Sequence, residues 1–190
     1  MENLGEKCGV FGVYGKGLDA ARLSFFGLYA LQHRGQESSG LATSDGENIF
    51  CHKKMGLVAQ AFTEKDIQKL QGYMAIGHNR YSTSKNSNVK HAQPVLIKDV
   101  GLTLVHNGNL PSTTLLEKFL GSYKIAFKTL SDSEMIAEAI AVYVRNGIRL
   151  EEAVTKVFPL MTGAFSILIM DKHSVIAIRD SCGVRPLSIG

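Results

Sequence analysis

The chain has 190 residues, 45% hydrophobic and 20% charged, with 19 glycines and no tryptophan, a composition suited to one compact domain with its own core. Its net charge of +4 comes from scattered Lys and Arg rather than a basic stripe, which argues against a nucleic-acid partner. Its three cysteines (Cys8, Cys51 and Cys182) suit neither a disulfide framework nor a four-thiolate cluster, and there is no secretory signal or membrane-length apolar run, so a cytoplasmic protein without metal, cofactor or membrane contact is expected.

Cys8 to Tyr14, CGVFGVY, is short, apolar and punctuated by glycine, as a buried strand is. From Ala20 to Arg34 the period changes: Leu23, Phe26, Ala30 and His33 recur at steps of three and four, which predicts a helix closed by Gly35. Gly40–Thr43 and Asn48–Lys53 read as two strands joined at Asp45-Gly46, a hairpin dipeptide. Ala75–Tyr81 is a further strand, and Val95–Lys98 with Leu102–His106 a further pair.

Helices are expected at Ser112–Leu120, Ser133–Asn146 and Leu150–Phe158, with Ile136, Ile140 and Tyr143 on one face of the second. Ala164–Met170 and Ser174–Ile178 close the chain as nearly apolar strands, both expected in the core. Hairpin connections imply antiparallel sheets. Helices outside two such sheets would give a four-layer sandwich, although periodicity alone leaves the topology open.

Five stretches carry chemistry. Cys8 reads either as a small buried apolar residue or as a nucleophile. An N-terminal α-amine, with a pKa near 7.7–8.0, can take a thiol's proton, and removal of Met1–Lys7 would give Cys8 such an amine. In LQHRGQESSG, His33 and Arg34 suit a helix C-terminus, and a functional Arg34 would need an acyl or carboxylate group nearby. In GHNRYST, Arg80 and Thr83 end a strand; Arg80 reads as a solvated side chain or as a fork for a carboxylate. Asn107-Gly108 reads as a tight turn, or as an oxyanion hole in which an amide and a backbone N–H meet one developing charge. Ser131 and Glu134 have capping-box spacing, which leaves Asp132 free in the first turn to hold an ammonium group.

Together these motifs are similar to those of the class II glutamine amidotransferases, and most closely resemble the N-terminal glutaminase domain of the amidophosphoribosyltransferase family. The matching segments are CGVFGVYG, LQHRGQESSGLAT, AIGHNRYST, HNGNL, TLSDSE and RPLSIG, in family order from Cys8 to Gly190. The resemblance implies an α+β N-terminal nucleophile hydrolase fold, an αββα sandwich of antiparallel sheets. It implies a leader at 1–7 and a glutaminase domain at 8–190. Cys8 then forms a γ-glutamyl thioester, with Asn107 and Gly108 as the oxyanion hole. Arg80 takes the α-carboxylate of glutamine and Asp132 its α-ammonium, while Arg34, Gly35 and Thr83 line the pocket. Asparagine synthetases and glucosamine-6-phosphate synthases usually begin directly at Met-Cys, unlike this chain.

Two departures stand out. The family's Asp-Pro-Xaa-Gly before RPL is Asp180-Ser181-Cys182-Gly183 here, and the chain has no acidic loop for phosphoribosyl pyrophosphate. The expected function is hydrolysis of glutamine to glutamate and ammonia for the first step of purine synthesis. A phosphoribosyltransferase domain or partner chain outside this sequence would accept the ammonia; the oligomeric state is open. The other readings are an unprocessed, inactive glutamine- or partner-binding domain, and the glutaminase of another class II amidotransferase such as glutamate synthase.

Overall fold

A computed structural model describes residues 8–81 and 89–190; the proposed leader, Met1–Lys7, and Thr83 lie outside them. The elements run β1 (Gly9–Tyr14), α1 (Ala20–Ala30), β2 (Ser38–Ser44), β3 (Ile49–Met55), α2 (Val58–Ala61), α3 (Glu64–Lys69) and β4 (Met74–Arg80). They continue through β5 (Val95–Ile97), β6 (Leu102–Asn109), α4 (Thr114–Ser122), α5 (Asp132–Arg145), α6 (Leu150–Val157), β7 (Ala164–Met170) and β8 (Val175–Arg179).

Two four-stranded sheets form, in the orders β1-β4-β2-β3 and β5-β6-β7-β8, with every pairing antiparallel. Three hydrophobic clusters define the layers. Ala21 and Leu28 of α1 pack with Leu41, Val58, Phe62 and Ile67 outside the first sheet. Ala42, Met74 and Ile76 meet Val105, Leu168 and Met170 between the sheets. Leu102, Leu104, Ile167 and Ile169 pack against Leu116, Ile136, Ile140 and Val154 of α4–α6. This is the expected αββα sandwich, and strand alternation builds it: Leu41 faces helices while Ala42 faces the other sheet, and Leu104 and Val105 divide in the same way.

Helix α1 departs from its predicted face and end. Its buried residues are Ala20, Ala21, Ser24 and Leu28, whereas Leu23 and Phe26 of the predicted stripe are 43% and 59% exposed. Close packing on the sheet selects small side chains there; a Cβ on Gly27 would lie 2.5 Å from the Phe11 ring. The α-helix stops at Ala30, and a 3-10 turn, Gln32–Arg34, follows. Gly35 is extended, with φ −158°, not a left-handed cap. What requires glycine is proximity, since a Cβ would sit 2.6 Å from the carbonyl oxygen of Asn79.

Strand β8 is an edge strand with most side chains at least partly exposed, not a core strand. Helices α2 and α3, of 4 and 6 residues, are too short to show a period in the sequence. The capping box at the start of α5 forms as expected, with Ser131 Oγ accepting from Glu134 N–H and the Glu134 carboxylate accepting from Ser131 N–H.

Candidate active site

Antiparallel pairing gathers the chemistry-bearing segments at one end of the two sheets. Cys8 immediately precedes β1, and Gly9 pairs with Asn79, one residue from the end of β4. Strand β6 runs in register with β7 through Asn107 and Gly108, opposite Ser166 and Phe165. The Asn-Gly pair is therefore strand, not turn. Nε2–H of His78 in β4 donates to the His106 carbonyl in β6 at 3.1 Å, which sets these ends of the two sheets against each other.

Alternation then sorts the side chains. In β4, Met74 and Ile76 face the other sheet, so His78 and Arg80 continue on that face. In β6, Val105 faces the other sheet and Asn107 follows it, while His106 turns to the helices. Arg80 and Asn107 thus share the inter-sheet face at the end where Cys8 lies. The glycine after Asn107 permits close packing: a Cβ on Gly108 would meet Ala164 O and His106 Nε2, each at 2.6 Å. No positive φ is involved at Gly108.

Cys8 is tightly placed. Its N–H donates to Arg34 O at 3.0 Å, and Arg34 Nε returns a bond to Cys8 O at 3.0 Å. Arg34 therefore grips the backbone of Cys8. Cys8 Sγ accepts from Tyr81 N–H at 3.4 Å. Burial pushes the thiol pKa up, opposed by the Tyr81 main chain and by Arg80 and Arg185. Among the described hydrogen bonds of Sγ none comes from an imidazole or a carboxylate. Among the described residues no imidazole bonds to Cys8 Sγ: His78 Nε2 is held by His106 O, and His106 Nδ1 lies 3.0 Å from Ser133 Oγ.

Arg80 is not a solvated side chain. Its Nε donates to Glu37 Oε2 at 3.1 Å and its Nη1 to His91 O at 2.8 Å. Asp132 opens α5 beside the end of β6. Its Oδ2 accepts weakly from Leu110 N–H at 3.4 Å and lies 3.8 Å from His106 Nδ1, while Oδ1 accepts from Ser133 N–H at 2.7 Å. The carboxylate is thus oriented rather than free, and remains 25% exposed.

Sequence reasoning missed the supports. Glu37 stands within a quoted motif, but its partner is 43 residues away. Gln93, two residues before β5 begins, bonds to β6 through its side chain: its Oε1 accepts from His106 N–H at 2.6 Å and its Nε2 donates to Ser133 Oγ at 3.2 Å. Among the described residues no His, Cys, Asp and Glu group suits a metal ion, and no helix is long and apolar enough to cross a membrane.

The buried histidine has a measurable consequence. Burial first, then the charges of His106 and Arg80, hold the His78 pKa down at about 3. An unfolded histidine titrates near 6.5. Between those values the unfolded chain takes up a proton that the folded chain refuses, so stability is complete above about pH 6.5 and falls as pH drops toward 3. The loss is up to about 1.4 kcal/mol per pH unit. Thermal unfolding from pH 7 to pH 4 should show a shallower decline for His78→Gln than for the wild type. Parallel declines would refute the assignment.

Comparison with known proteins shows the family of the chain. The family model described as a glutamine amidotransferase domain matches residues 78–190. The chain is 47% identical to the amidophosphoribosyltransferase of Synechocystis sp. over 188 residues, covering 97% of this chain and 38% of that protein. It is 44% identical to that of Synechococcus elongatus, covering 97% and 38%. It superimposes on the glutamine phosphoribosylpyrophosphate amidotransferase of Bacillus subtilis, solved with ADP and GMP, with a TM-score of 0.81 at 36% identity, covering 93% of this chain and 38% of that one. The chain belongs to the glutamine amidotransferase family, with the N-terminal nucleophile hydrolase fold. Within that family it corresponds to the N-terminal glutamine amidotransferase domain of amidophosphoribosyltransferases, and spans under two-fifths of the length of the two curated relatives.

Proposed function

We propose that the chain is the glutaminase half of an amidophosphoribosyltransferase, working in the cytoplasm to supply ammonia to a phosphoribosyltransferase domain or partner for purine synthesis. The observation that carries this reading is the convergence of Cys8, Arg80, Asn107-Gly108 and Asp132 at one end of the paired sheets. Arg80 takes the α-carboxylate of glutamine and Asp132 its α-ammonium, with Gly35 lining the pocket. Arg34 holds Cys8 in place. The Cys8 thiol attacks the γ-carboxamide carbon, and its proton passes to the Cys8 α-amine. Asn107 and the Gly108 N–H hold the oxyanion. Collapse transfers the proton to the leaving nitrogen and releases ammonia. Water then cleaves the thioester to glutamate and the free thiol.

This chemistry needs the amine, so Met1–Lys7 must be removed. Two observations support that step. The half-buried thiol has no other base bonded to it among the described residues. Cys8 also has φ 80°, a left-handed backbone that side-chain-bearing residues seldom adopt and that costs about 1–3 kcal/mol. That torsion exists only while a residue precedes Cys8, so cleavage abolishes the strain.

The test is glutamate release from glutamine, beside intact mass and N-terminal sequencing of the same active preparation. Activity should track molecules that begin at Cys8; full activity with Met1 attached would defeat the amine mechanism. Asp132→Ala and Arg80→Lys should raise KM for glutamine by about 10- to 100-fold, on the order of 1.4–2.8 kcal/mol, with a smaller change in kcat. Lysine is preferred at position 80 because removing the cation outright strands the Glu37 carboxylate, which is only 10% exposed. A fall confined to kcat would show that these residues do not hold the non-reacting end.

A further inference from the structure

The RPLSIG segment ends the family motifs without a role in the chemistry above, yet the chain fixes it firmly beside the site. Asp180 N–H donates to Phe165 O at 3.0 Å and Phe165 N–H to Asp180 Oδ2 at 3.2 Å. Asp180 Oδ1 accepts from the N–H groups of Cys182 and Val184 at 3.0 and 3.3 Å, which shapes the turn that the missing proline would otherwise set. Arg179 Nε donates to Arg185 O at 2.7 Å, Ser166 Oγ donates to Pro186 O at 3.0 Å, and Leu187 packs between the sheets. Phe165 and Ser166 are the residues that pair with Gly108 and Asn107. The segment 180–187 is therefore tied along β7 directly opposite the oxyanion dipeptide.

Arg185 lies between two of these anchors. Its side chain is half-buried, and its Nε has no hydrogen-bond partner among the described residues. Its charge acts on both Cys8 and His106. We infer that Arg185 is a further residue of the glutaminase site, held by the 180–187 segment so that its guanidinium favours the Cys8 thiolate and the oxyanion that follows it. This rests on the glutaminase reading. The charged groups facing Cys8 are Arg80, Glu37 and Arg185, with Arg34 on its carbonyl. Arg80 is already paired with Glu37, so much of its charge is compensated. Arg185 acts on the sulfur in the same direction as Arg80, more weakly. An N–H without an acceptor also suits a group meant to meet a charge that develops only during reaction.

The experiment reads Cys8 without glutamine. Wild type, Arg185→Met and Arg185→Lys are treated with iodoacetamide across pH 5–10, and alkylation of the Cys8 peptide is followed by mass spectrometry, which separates it from Cys51 and Cys182. In Arg185→Met the midpoint should rise by about half to one pH unit, and the rate near neutral pH fall about 3- to 10-fold. Arg185→Lys should stay near wild type. Glutaminase kcat/KM should fall by at least the same factor in Arg185→Met, mainly through kcat. A Cys8 profile unchanged in folded Arg185→Met overturns the inference, as does an Arg185→Lys profile displaced as far as that of Arg185→Met. If Arg185→Met does not fold, Arg185→Gln takes its place against Arg185→Lys. A glutaminase that is inactive in every form, with the alkylation shift intact, would refute the activity and not the electrostatic role.

Discussion

Replacement of Cys8 by alanine is expected to reduce glutamine hydrolysis by at least about 10⁴-fold, the order seen when a covalent nucleophile is removed. The side chain itself does little for the fold. Among the described residues Sγ is held by the Tyr81 main chain, and the Cys8 backbone bonds to Arg34 survive the substitution. Thermal stability should therefore change by no more than about 1 kcal/mol, as for loss of one modest contact. Cys8→Ser is the sharper variant. It keeps a nucleophile of similar shape but one far harder to ionise, and should remain close to inactive. Glutamate release measured against thermal unfolding decides the matter. Residual activity within tenfold of wild type in Cys8→Ala would mean that the thiol is not the nucleophile.

Asn107→Ala should lower kcat by about 10²- to 10³-fold, the loss of 2.7–4 kcal/mol typical of one oxyanion donor, while KM changes little. The separation matters because Asn107 is 2% exposed and sits in the sheet. A merely structural asparagine would affect folding and both kinetic constants together. Its Oδ1 has no partner among the described residues, so the amide is not bound into a structural network through its oxygen. Removing it strands no protein donor. Asn107→Asp is a useful companion: it preserves volume but sets a negative charge against a developing oxyanion, and should be worse than alanine. A rise in KM with kcat unaltered would remove Asn107 from the oxyanion hole.

Most of the architecture was legible because the signals were local. The Asp45-Gly46 hairpin forms, with Gly46 at φ 98°, and the box at Ser131–Glu134 caps α5. The failures share a cause. Helix α1 shows a large apolar stripe, but packing distance decided which face could approach the sheet, and the small residues won. Asn107-Gly108 has turn propensity, but seven paired positions along β6 and β7 overrode it. The candidate residues themselves could be found because they lie in compact motifs. Their supports could not: Glu37 with Arg80, Gln93 with His106 and Ser133, and Ser166 with Pro186 join distant parts of the chain, and nothing in any one segment announces its partner.

The alternation along β6 has a consequence for how such a protein can change. Val105, His106 and Asn107 are assigned in turn to the inter-sheet face, the helix face and the inter-sheet face. A single residue inserted before His106 would not shift these side chains by a few ångströms; it would exchange the two sides, turning the imidazole toward the inter-sheet face and the amide toward Ser133. Point substitutions can therefore tune this catalyst by degrees, whereas a change of chain length in this strand passes through no intermediate form. Variation in length among its relatives is accordingly expected in the loops between elements, and the strand before Asn107-Gly108 should keep its residue count even where its residues differ.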